Sequence, residues 1–536
     1  MKTIRKIIAV LLVLALALAA APMTCASADG GEKVLNIATF SGAGDLDPAG
    51  IAIDMWTEYC KMCVDPLIRF DEEGNVVYEA AESYEVSDDG LVWTFHLREN
   101  GKWSDGSPVT AGDFINTIHR ALNPENGMSI YASVLYPIVG AQEARSGEGS
   151  LDDVAAVALD DYTLQFTLKA PCTYFTSLLT VGPFYPSKTG LATLEDPSWW
   201  KNPETSLGNG AYCLTEYVDG DHYFLKKNPS YWNADAVNID TVNVFLIYDQ
   251  QALLAAYQTG EVDVATGLPD YIGDAYAGSE ELFIWNMLTS KFILPNLSVQ
   301  PLDDLRVREA IALGLNREEI CAVIGADYIP STSYVAEFMM SNASSEYFSK
   351  EREPLFTEDI AKAQELLAEA GYPGGEGFPT LTYTYPNSDK DALLAQAIQA
   401  QLKQNLGINI ELNGVEDQVY SSTRAEGSYD LIRHSWTADF NDPINYLDLY
   451  TSYSGGNYNG VNSPEYDALI EASNETADQT ERNDLLHQAE QLLVGENFYV
   501  IPVATQVYIC LWNPRLDNVT INEKGEPMYR YADLAD

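Results

Sequence analysis

Short runs in which apolar and polar residues alternate are interspersed along the chain with runs of helical spacing. Val34–Thr39 alternates and contains β-branched residues, which predicts a strand. The Asp88-Asp89-Gly90 sequence predicts a hairpin turn between two alternating strands. Residues 305–315 place apolar side chains at helical spacing, and a second helix is predicted with Thr357 as its N-cap. Strands and helices that alternate in this way predict an α/β protein.

The second half of the chain contains a strand–helix–strand pattern typical of a crossover unit. A further strand then leads into Trp436-Thr437-Ala438-Asp439-Phe440-Asn441-Asp442-Pro443. Asp439 therefore follows the carboxyl end of a strand, where open α/β sheets bind ligands. The predicted elements are strand 381–385, helix 391–406, strand 408–412 and strand 429–436.

The N-terminus has the pattern of a secretory signal. A basic segment, residues 1–6, precedes an apolar run over residues 7–21, and Ala26-Ser27-Ala28 offers a small-x-small cleavage site. The alternative, a membrane anchor, is disfavoured because the run is shorter than the roughly 20 residues that a spanning helix needs. We expect residues 1–28 to be removed and the mature chain to be exported.

Length, charge and cysteine content limit the possible architecture and partners of the chain. A chain of 536 residues with 46% hydrophobic content is expected to form two or three lobes. The formal net charge of −49 argues against nucleic acid and anionic lipid as partners. Seven cysteines set no disulfide framework, and Cys60-x-x-Cys63 predicts two thiols packed in a helix rather than a metal or redox pair.

Catalytic signatures are absent from the sequence. The five histidines are scattered, and no H-E-x-x-H, G-x-S-x-G or Walker pattern occurs. His434 is near the motif at 436–443, but we expect it to be a strand residue. Acidic pairs at glycosidase spacing arise by chance among 79 Asp and Glu residues, so a secreted hydrolase is a distant alternative. No catalytic residue, metal or cofactor is predicted.

Two stretches resemble the oligopeptide-binding branch of the family 5 extracytoplasmic solute-binding proteins. Residues 436–443 are similar to its W-x-A-D-[YF]-N-[DE]-P signature, and residues 81–114 contain nearly every element of A-E-S…DG…W-T-F-H-L-R…W-S-D-G-x-P-[VL]-T-A-x-D-F. The resemblance implies a two-lobed periplasmic-binding-protein clamshell, of the type II, large three-domain form. Its implied divisions are the signal peptide 1–28, a discontinuous domain I of 29–66, 205–290 and 508–536, an extra domain II of 67–204 packed on that lobe, and domain III, the second lobe, of 291–507.

Asp439 is the strongest candidate site residue. A carboxylate flanked by the aromatic rings of Trp436 and Phe440 is desolvated and should pair with a cation. The resemblance implies that this cation is the α-ammonium of a bound peptide, that the backbone of Thr437 adds a second acceptor, and that Trp436 helps to form a side-chain pocket. The alternative role for Asp439 is to cap the turn before Pro443, for which Asp442 is better placed.

Three further residues are implied by the resemblance. Arg433 and Arg424 match arginines near the ligand, although a structural salt bridge is the alternative for Arg433, and Tyr131 matches a cleft tyrosine of domain II. The chain also departs from the family where other members hold the peptide carboxylate, so preferred peptide length stays open. The departures are Asp391 for a histidine, Gly325 for a lysine and Ser435 for a glycine.

The implied function is capture of oligopeptides for an ABC importer. The partners would be a membrane permease and its ATPase subunits, and the binding protein itself is expected to be a monomer. The same fold binding an oligosaccharide or a nickel complex is the nearer alternative. We expect the protein in the periplasm or on the outer face of the membrane, and Cys25 leaves lipid anchoring open because many relatives are lipidated at the end of the signal.

Overall fold

The computed structural model describes residues 32–40, 46–50, 58–126, 131–196, 198–269, 271–344 and 346–535. The predicted signal peptide and Cys25 lie outside these ranges. The strands are β1 Val34–Thr39, β2 Ile68–Phe70, β3 Val76–Tyr78, β4 Ala81–Val86, β5 Val92–Leu97, β6 Ala156–Asp160, β7 Thr163–Thr167, β8 Tyr212–Val218, β9 His222–Lys227, β10 Thr241–Leu246, β11 Val264–Thr266, β12 Leu282–Pro295, β13 Tyr328–Pro330, β14 Leu381–Pro386, β15 Ile410–Val415, β16 Leu431–Thr437, β17 Ile501–Trp512, β18 Leu516–Asp517, β19 Thr520–Ile521, β20 Pro527–Met528 and β21 Asp533–Leu534.

Helices connect these strands, and two of them continue into π-helical turns, at Leu402–Leu406 and at Gln491–Glu496. The helices are α1 Glu58–Cys63, α2 Ala111–Leu122, α3 Ala141–Ser146, α4 Phe175–Leu178, α5 Gln250–Gln258, α6 Ile272–Ala275, α7 Leu305–Leu313, α8 Arg317–Ile324, α9 Ile360–Glu369, α10 Asp389–Gln401, α11 Asp417–Ala425, α12 Ile444–Leu447, α13 Pro464–Glu475 and α14 Gln479–Glu490.

An eleven-stranded mixed sheet runs through the molecule in the order β15-β14-β16-β12-β17-β11-β1-β10-β9-β8, with β13 added on β17. The long strands β12 and β17 are antiparallel partners and join its two halves. At one end of this pair β16 lies against β12, and at the other end β11 lies against β17. The implied boundaries 290/291 and 507/508 fall within these two strands. The domain division stays a prediction.

A second sheet, four-stranded and antiparallel in the order β4-β5-β7-β6, is built from residues 81–167. Its core contains a cluster of aromatic rings in edge-to-face contact, a favourable geometry for such pairs. Tyr131, in the connection between β5 and β6, and Tyr174, which follows β7, reach the site described below. The clustered rings are Phe95, Phe166, Phe175 and Phe184.

Local signals predicted several elements correctly. Strand β1 has the predicted bounds, and β4 pairs with β5 as the predicted hairpin, with Gly90 at φ 72° in its turn. Helix α2 begins after Thr110, whose backbone N–H donates to the Asp113 carboxylate at 3.0 Å. These features depend on residues close in sequence, which is why the pattern sufficed.

Other local predictions were wrong by a few residues. The N-cap of α9 is Asp359, not Thr357, because the Asp359 carboxylate accepts from the Lys362 backbone N–H at 2.9 Å. Helix α10 begins two residues early because Ser388 caps it, accepting from the Asp391 backbone N–H at 3.1 Å. Polar side chains in adjacent positions compete to cap a helix, and the pattern alone does not choose between them.

The described cysteines are free thiols, and most of them are buried. Cys60 and Cys63 lie in α1, and burial raises the pKa of Cys63 well above its ordinary value. A buried thiol with a raised pKa is a poor nucleophile and metal ligand. The pair is therefore packed in a helix, as predicted.

Candidate functional site

The site is built on β16, which pairs with β12 in antiparallel register. Alternate residues of a strand share a face, so Arg433, Ser435 and Thr437 project to one side and His434 and Trp436 to the other. The Ala438 backbone N–H donates to Leu288 at 2.8 Å, which prolongs the pairing past the end of the strand. The backbone is therefore held in place up to Asp439, two residues beyond the end of β16.

Asp439 is partly buried, and its hydrogen-bond partners are uncharged. Its backbone N–H donates to Asn445 Oδ1 at 3.2 Å, and Asn445 Nδ2 approaches the carboxylate at 3.5 Å. Burial raises the pKa of Asp439, while hydrogen bonds from Asn445 and the Tyr131 hydroxyl and the positive charge of Lys524 each oppose this rise. The carboxylate is desolvated more strongly than its partners compensate, so an additional cation would stabilise it.

Tyr131 reaches Asp439 from the part of the chain that carries the four-stranded sheet. It lies at the N-terminus of the 3₁₀ turn Ala132–Leu135 and hydrogen-bonds to the Asp439 carboxylate. Burial and the negative charge of Asp439 raise the pKa of Tyr131, so the hydroxyl is the donor. The fold thus brings together two residues that the sequence predicted separately, and it closes one part of the molecule onto the other.

Asn445 is a site residue that the sequence analysis missed. Its Oδ1 accepts from Trp436 Nε1 at 2.9 Å as well as from the Asp439 backbone, so it fixes both motif residues. The available signal was a polar residue in the first turn of α12, directly after the motif.

The two aromatic residues that flank Asp439 in the sequence, Trp436 and Phe440, differ in burial. Phe440 is 7% exposed and stacks on Tyr174, with ring centroids 5.8 Å apart and planes 4° from parallel. Trp436 is only partly buried. Phe440 therefore joins the motif to the segment of Tyr174, whereas Trp436 keeps part of its surface exposed.

Asp442 holds the turn after the motif. Its two oxygens accept from Arg482 Nη1 and Nη2 at 2.9 and 2.8 Å, and Oδ1 also accepts from the Ile444 backbone N–H at 2.9 Å. The turn-capping role therefore belongs to Asp442. The Arg482 guanidinium also lies 4.8 Å from the ring centroid of Tyr174, on which Phe440 stacks.

Arg433, at the start of β16, is already paired with a carboxylate. Its Nε donates to Asp391 Oδ1 at 2.5 Å, and its Nη1 donates to the Ser435 hydroxyl at 3.2 Å. Burial disfavours the charge on Arg433, but Asp391 outweighs burial and raises its pKa. Two of the three departures from the family pattern are thus contacts of Arg433.

The third departure, Gly325, has a backbone reason. It follows α8 with φ at 118°, in the region that favours glycine over any residue with a Cβ. A lysine would be strained there.

Arg424 lies on α11 and approaches the opposite face of β16. Its guanidinium is 4.7 Å from the ring centroid of Tyr458, and its Nη1 is 3.4 Å from His434 Nδ1. Burial lowers the pKa of His434 well below its ordinary value, with the nearby cations adding to the effect, so this histidine is neutral. The structure does not bring Arg424 to the face that carries Arg433.

Thr437 completes the site near Asp439. Its hydroxyl is 2.7 Å from the hydroxyl of Thr289 on β12. It also borders a cavity of about 10 Å³, enough for about one water molecule, which Lys524 and Glu526 line from the C-terminal segment.

The fold and this site can be compared with known proteins. The family model described as "Bacterial extracellular solute-binding proteins, family 5 Middle" matches residues 75–458. The chain belongs to this family. Members of family 5 are solute-binding proteins rather than enzymes, and the resemblance stated from the two motifs is confirmed.

Three comparisons show how much of the chain the family likeness covers. The chain is 30% identical over 94% of its length to the dipeptide-binding protein DppE of Bacillus subtilis, covering 92% of that protein. It is 32% identical over 94% of its length to the oligopeptide-binding protein OppA of Bacillus subtilis, covering 93% of it. The solved murein tripeptide-binding protein MppA of Escherichia coli matches 94% of this chain and 99% of its own, with TM-score 0.78 and 26% identity. The two-lobed periplasmic-binding fold is thereby confirmed.

Among the residues that the structure describes, no helix has the length and apolar character needed to cross a membrane. In the same ranges, no group of three or more histidine, cysteine or acidic side chains is arranged to hold a metal ion.

Proposed function

We propose that this family 5 protein is the extracytoplasmic substrate-binding component of an ABC importer that takes up oligopeptides. Peptides bind between the two lobes, and the loaded protein is recognised by a membrane permease driven by ATPase subunits. The relatives named above are peptide-binding proteins, which supports this choice over an oligosaccharide or a nickel complex. The peptide leaves unchanged, since the protein performs no catalysis.

The observation that carries the proposal is the environment of Asp439. It is a desolvated carboxylate at the end of a strand, and its hydrogen-bond partners, Tyr131 and Asn445, are neutral. A primary ammonium supplies the missing positive charge and donates hydrogen bonds, which a neutral sugar hydroxyl does not match. The α-ammonium of a peptide therefore fits this position. Trp436 and the Thr437 backbone line the same subsite, Arg433 lies further along β16, and Arg424 approaches the opposite face of that strand from α11.

Closure is the proposed means of signalling occupancy. Tyr131 bonds to Asp439, and Tyr174 stacks on Phe440, so residues of the proposed domain II meet residues of the proposed domain III across the cleft. A peptide that touches both sides binds the closed form better than the open one and shifts the population towards it. The permease can then distinguish loaded from empty protein. We also propose export after removal of residues 1–28, with a monomeric mature protein and Cys25 as its alternative lipid anchor.

Thermal-shift measurements test the proposal, because saturating ligand raises the melting temperature by mass action. The panel contains di- to hexapeptides, the same peptides with acetylated N-termini, and cello-oligosaccharides. We expect free-amine peptides to stabilise the protein and acetylation to abolish the shift. Stabilisation by cello-oligosaccharides alone would overturn the proposal.

A pair of variants tests the assignment of Asp439. Asp439→Asn should remove the shift with free-amine peptides, since loss of one partner of a buried ion pair costs about 3–5 kcal/mol. Asp484→Asn is the matched control, because Asp484 is an exposed aspartate on α14 and should bind as the wild type does. Equal binding by both variants would show that Asp439 is not the ammonium receptor.

A further inference from the structure

Lys291 lies on β12 and shares a face of the sheet with Arg433. The antiparallel register places Lys291 opposite Ser435 and Ile293 opposite Arg433. Directly opposed residues project to the same side of a sheet, and so do residues two apart on one strand. Lys291 and Arg433 are therefore neighbours on one face, which continues through Thr437 towards Asp439.

The charges around Lys291 leave it as the cation in excess. Arg433 of β16 is paired with Asp391, and Lys390 of α10 donates to Asp327 at 2.5 Å. These four groups have the largest electrostatic influence on Lys291, and together with it they make three cations and two carboxylates. Within the described ranges, no acceptor lies within hydrogen-bond distance of the Lys291 ammonium, although its side chain is partly buried.

Burial and then repulsion from Arg433 lower the pKa of Lys291 to about 7. A lysine in this state loses its proton readily unless an anion approaches it. A carboxylate arriving beside Lys291 offsets both effects, because it adds negative charge next to the buried ammonium and to Arg433.

The distance along β16 between the positions of Lys291 and Asp439 indicates the length of the ligand that could contact both residues. Lys291 is level with Ser435, four residues before Asp439, which corresponds to about 13 Å of extended chain. That span suits an extended ligand of roughly three or four residues between an ammonium at Asp439 and a carboxylate at Lys291.

We propose that Lys291 receives a carboxylate of the bound peptide and is the residue that selects for it, since Arg433 is already neutralised by Asp391. This assignment rests on the proposed peptide-binding function. The carboxylate is either the C-terminus or an acidic side chain of the ligand. Lys291 is not one of the residues that were matched to the family pattern.

The proposal carries a pH dependence of definite sign. Below pH 7 the ammonium is formed before binding, and affinity for a carboxylate ligand is at its full value. Above about pH 7 the free protein must take up a proton to bind, so affinity falls by up to tenfold per pH unit until the pKa of the complex is reached.

The test uses calorimetry with di- to hexa-alanines that carry free or amidated C-termini, and with the same lengths containing one internal Glu or Gln. The variants are Lys291→Met, Lys291→Arg and, as matched control, Lys362→Met, since Lys362 is an exposed lysine of α9. Melting of each ligand-free variant checks that it is folded.

We expect wild type and Lys362→Met to prefer free acids to amides by at least about tenfold, and Lys291→Met to lose that preference while binding amides normally. Lys291→Arg should keep the preference and lose the decline above pH 7. A preference for Glu over Gln, with acid and amide termini equal, identifies the acidic side chain as the source and also supports the proposal.

Two results would overturn it. Lys291→Met that retains the acid preference would leave Arg433 as the receptor, and Lys291→Met that weakens acids and amides equally would indicate a structural role. A wild type that binds none of these peptides is a different failure, since it removes the proposed function itself and this inference with it.

Discussion

The two ends of β16 carry opposite charges that the protein treats differently. At the carboxyl end, Asp439 is held by the neutral donors Tyr131 and Asn445. Nearer the start of the strand, Arg433 is paired with Asp391 and also donates to Ser435. One end therefore presents a charge whose hydrogen-bond donors are neutral, and the other presents a charge that is already paired with an opposite charge.

This difference in pairing indicates that the Asp439 end of β16, rather than Arg433, is the one that gains most from binding a charged ligand group. A desolvated carboxylate costs free energy in the empty protein, and a bound ammonium recovers it. A paired arginine offers a ligand little, because a new carboxylate must compete with Asp391. The free positive charge at that end belongs instead to Lys291, on the neighbouring strand.

The largest effect on stability is expected from removing the ion pair between Arg433 and Asp391. Asp391→Ala removes the partner of Arg433, and both side chains are 11% exposed. An unpaired buried guanidinium should lower the free energy of unfolding by about 3 kcal/mol, measured by urea denaturation. Asp389→Ala, at an exposed position two residues away, should cost less than about 0.5 kcal/mol. Equal losses in the two variants would contradict the pairing.

Acid should weaken the carboxylate end. Burial raises the pKa of Asp439, so in the free protein it protonates at a higher pH than an ordinary aspartate does. Affinity for a free-amine peptide should fall by up to tenfold per pH unit once the pH drops below this raised pKa, because the ammonium then has to displace a proton. Titrations between pH 7 and pH 4 measure this. An affinity that is constant down to the ordinary aspartate range would show that Asp439 is not the group involved.

A smaller loss is expected when the support of Asp439 is removed. Asn445→Ala deletes the side chain that holds Trp436 Nε1 and the Asp439 backbone N–H. Loss of these hydrogen bonds should lower affinity for free-amine peptides by about tenfold, or roughly 1.4 kcal/mol. Asn497→Ala offers a comparison, since Asn497 Nδ2 donates to the Leu492 carbonyl in the π-helical turn after α14. The same loss in both variants would indicate a general effect of destabilisation.

The smallest expected effect is that of Asp439→Asn on the stability of the ligand-free protein. Whether the melting temperature rises or falls is the informative result. A raised pKa means that the folded protein prefers Asp439 neutral, so its contribution to stability is present at low pH and is lost as pH rises through that pKa. Asp439→Asn imitates the neutral form, and the ligand-free variant should melt at the same temperature as wild type at pH 7 or up to a few degrees higher. A clear fall in melting temperature would mean that a counter-charge already stabilises the carboxylate.

Part of the site could be predicted from neighbouring residues alone. The Trp436–Pro443 motif placed Asp439 directly after a strand, and the structure agrees within one residue at the strand end. Asn445 was missed because its two bonds depend on how α12 turns back onto the motif. Lys291 was missed because nothing near it in sequence marks it; its importance comes from the strand opposite.

The sequence by itself determined the family, the alternation of strands and helices, and the position of Asp439, because these depend on motifs, periodicity and short-range turns. Only the tertiary structure decided which charges meet. Asp391 and Arg433 are 42 residues apart in the chain, and Tyr131 reaches Asp439 from the other side of the cleft. Sheet register and lobe closure create these contacts, and a desolvated charge takes its character from the groups that the fold places around it.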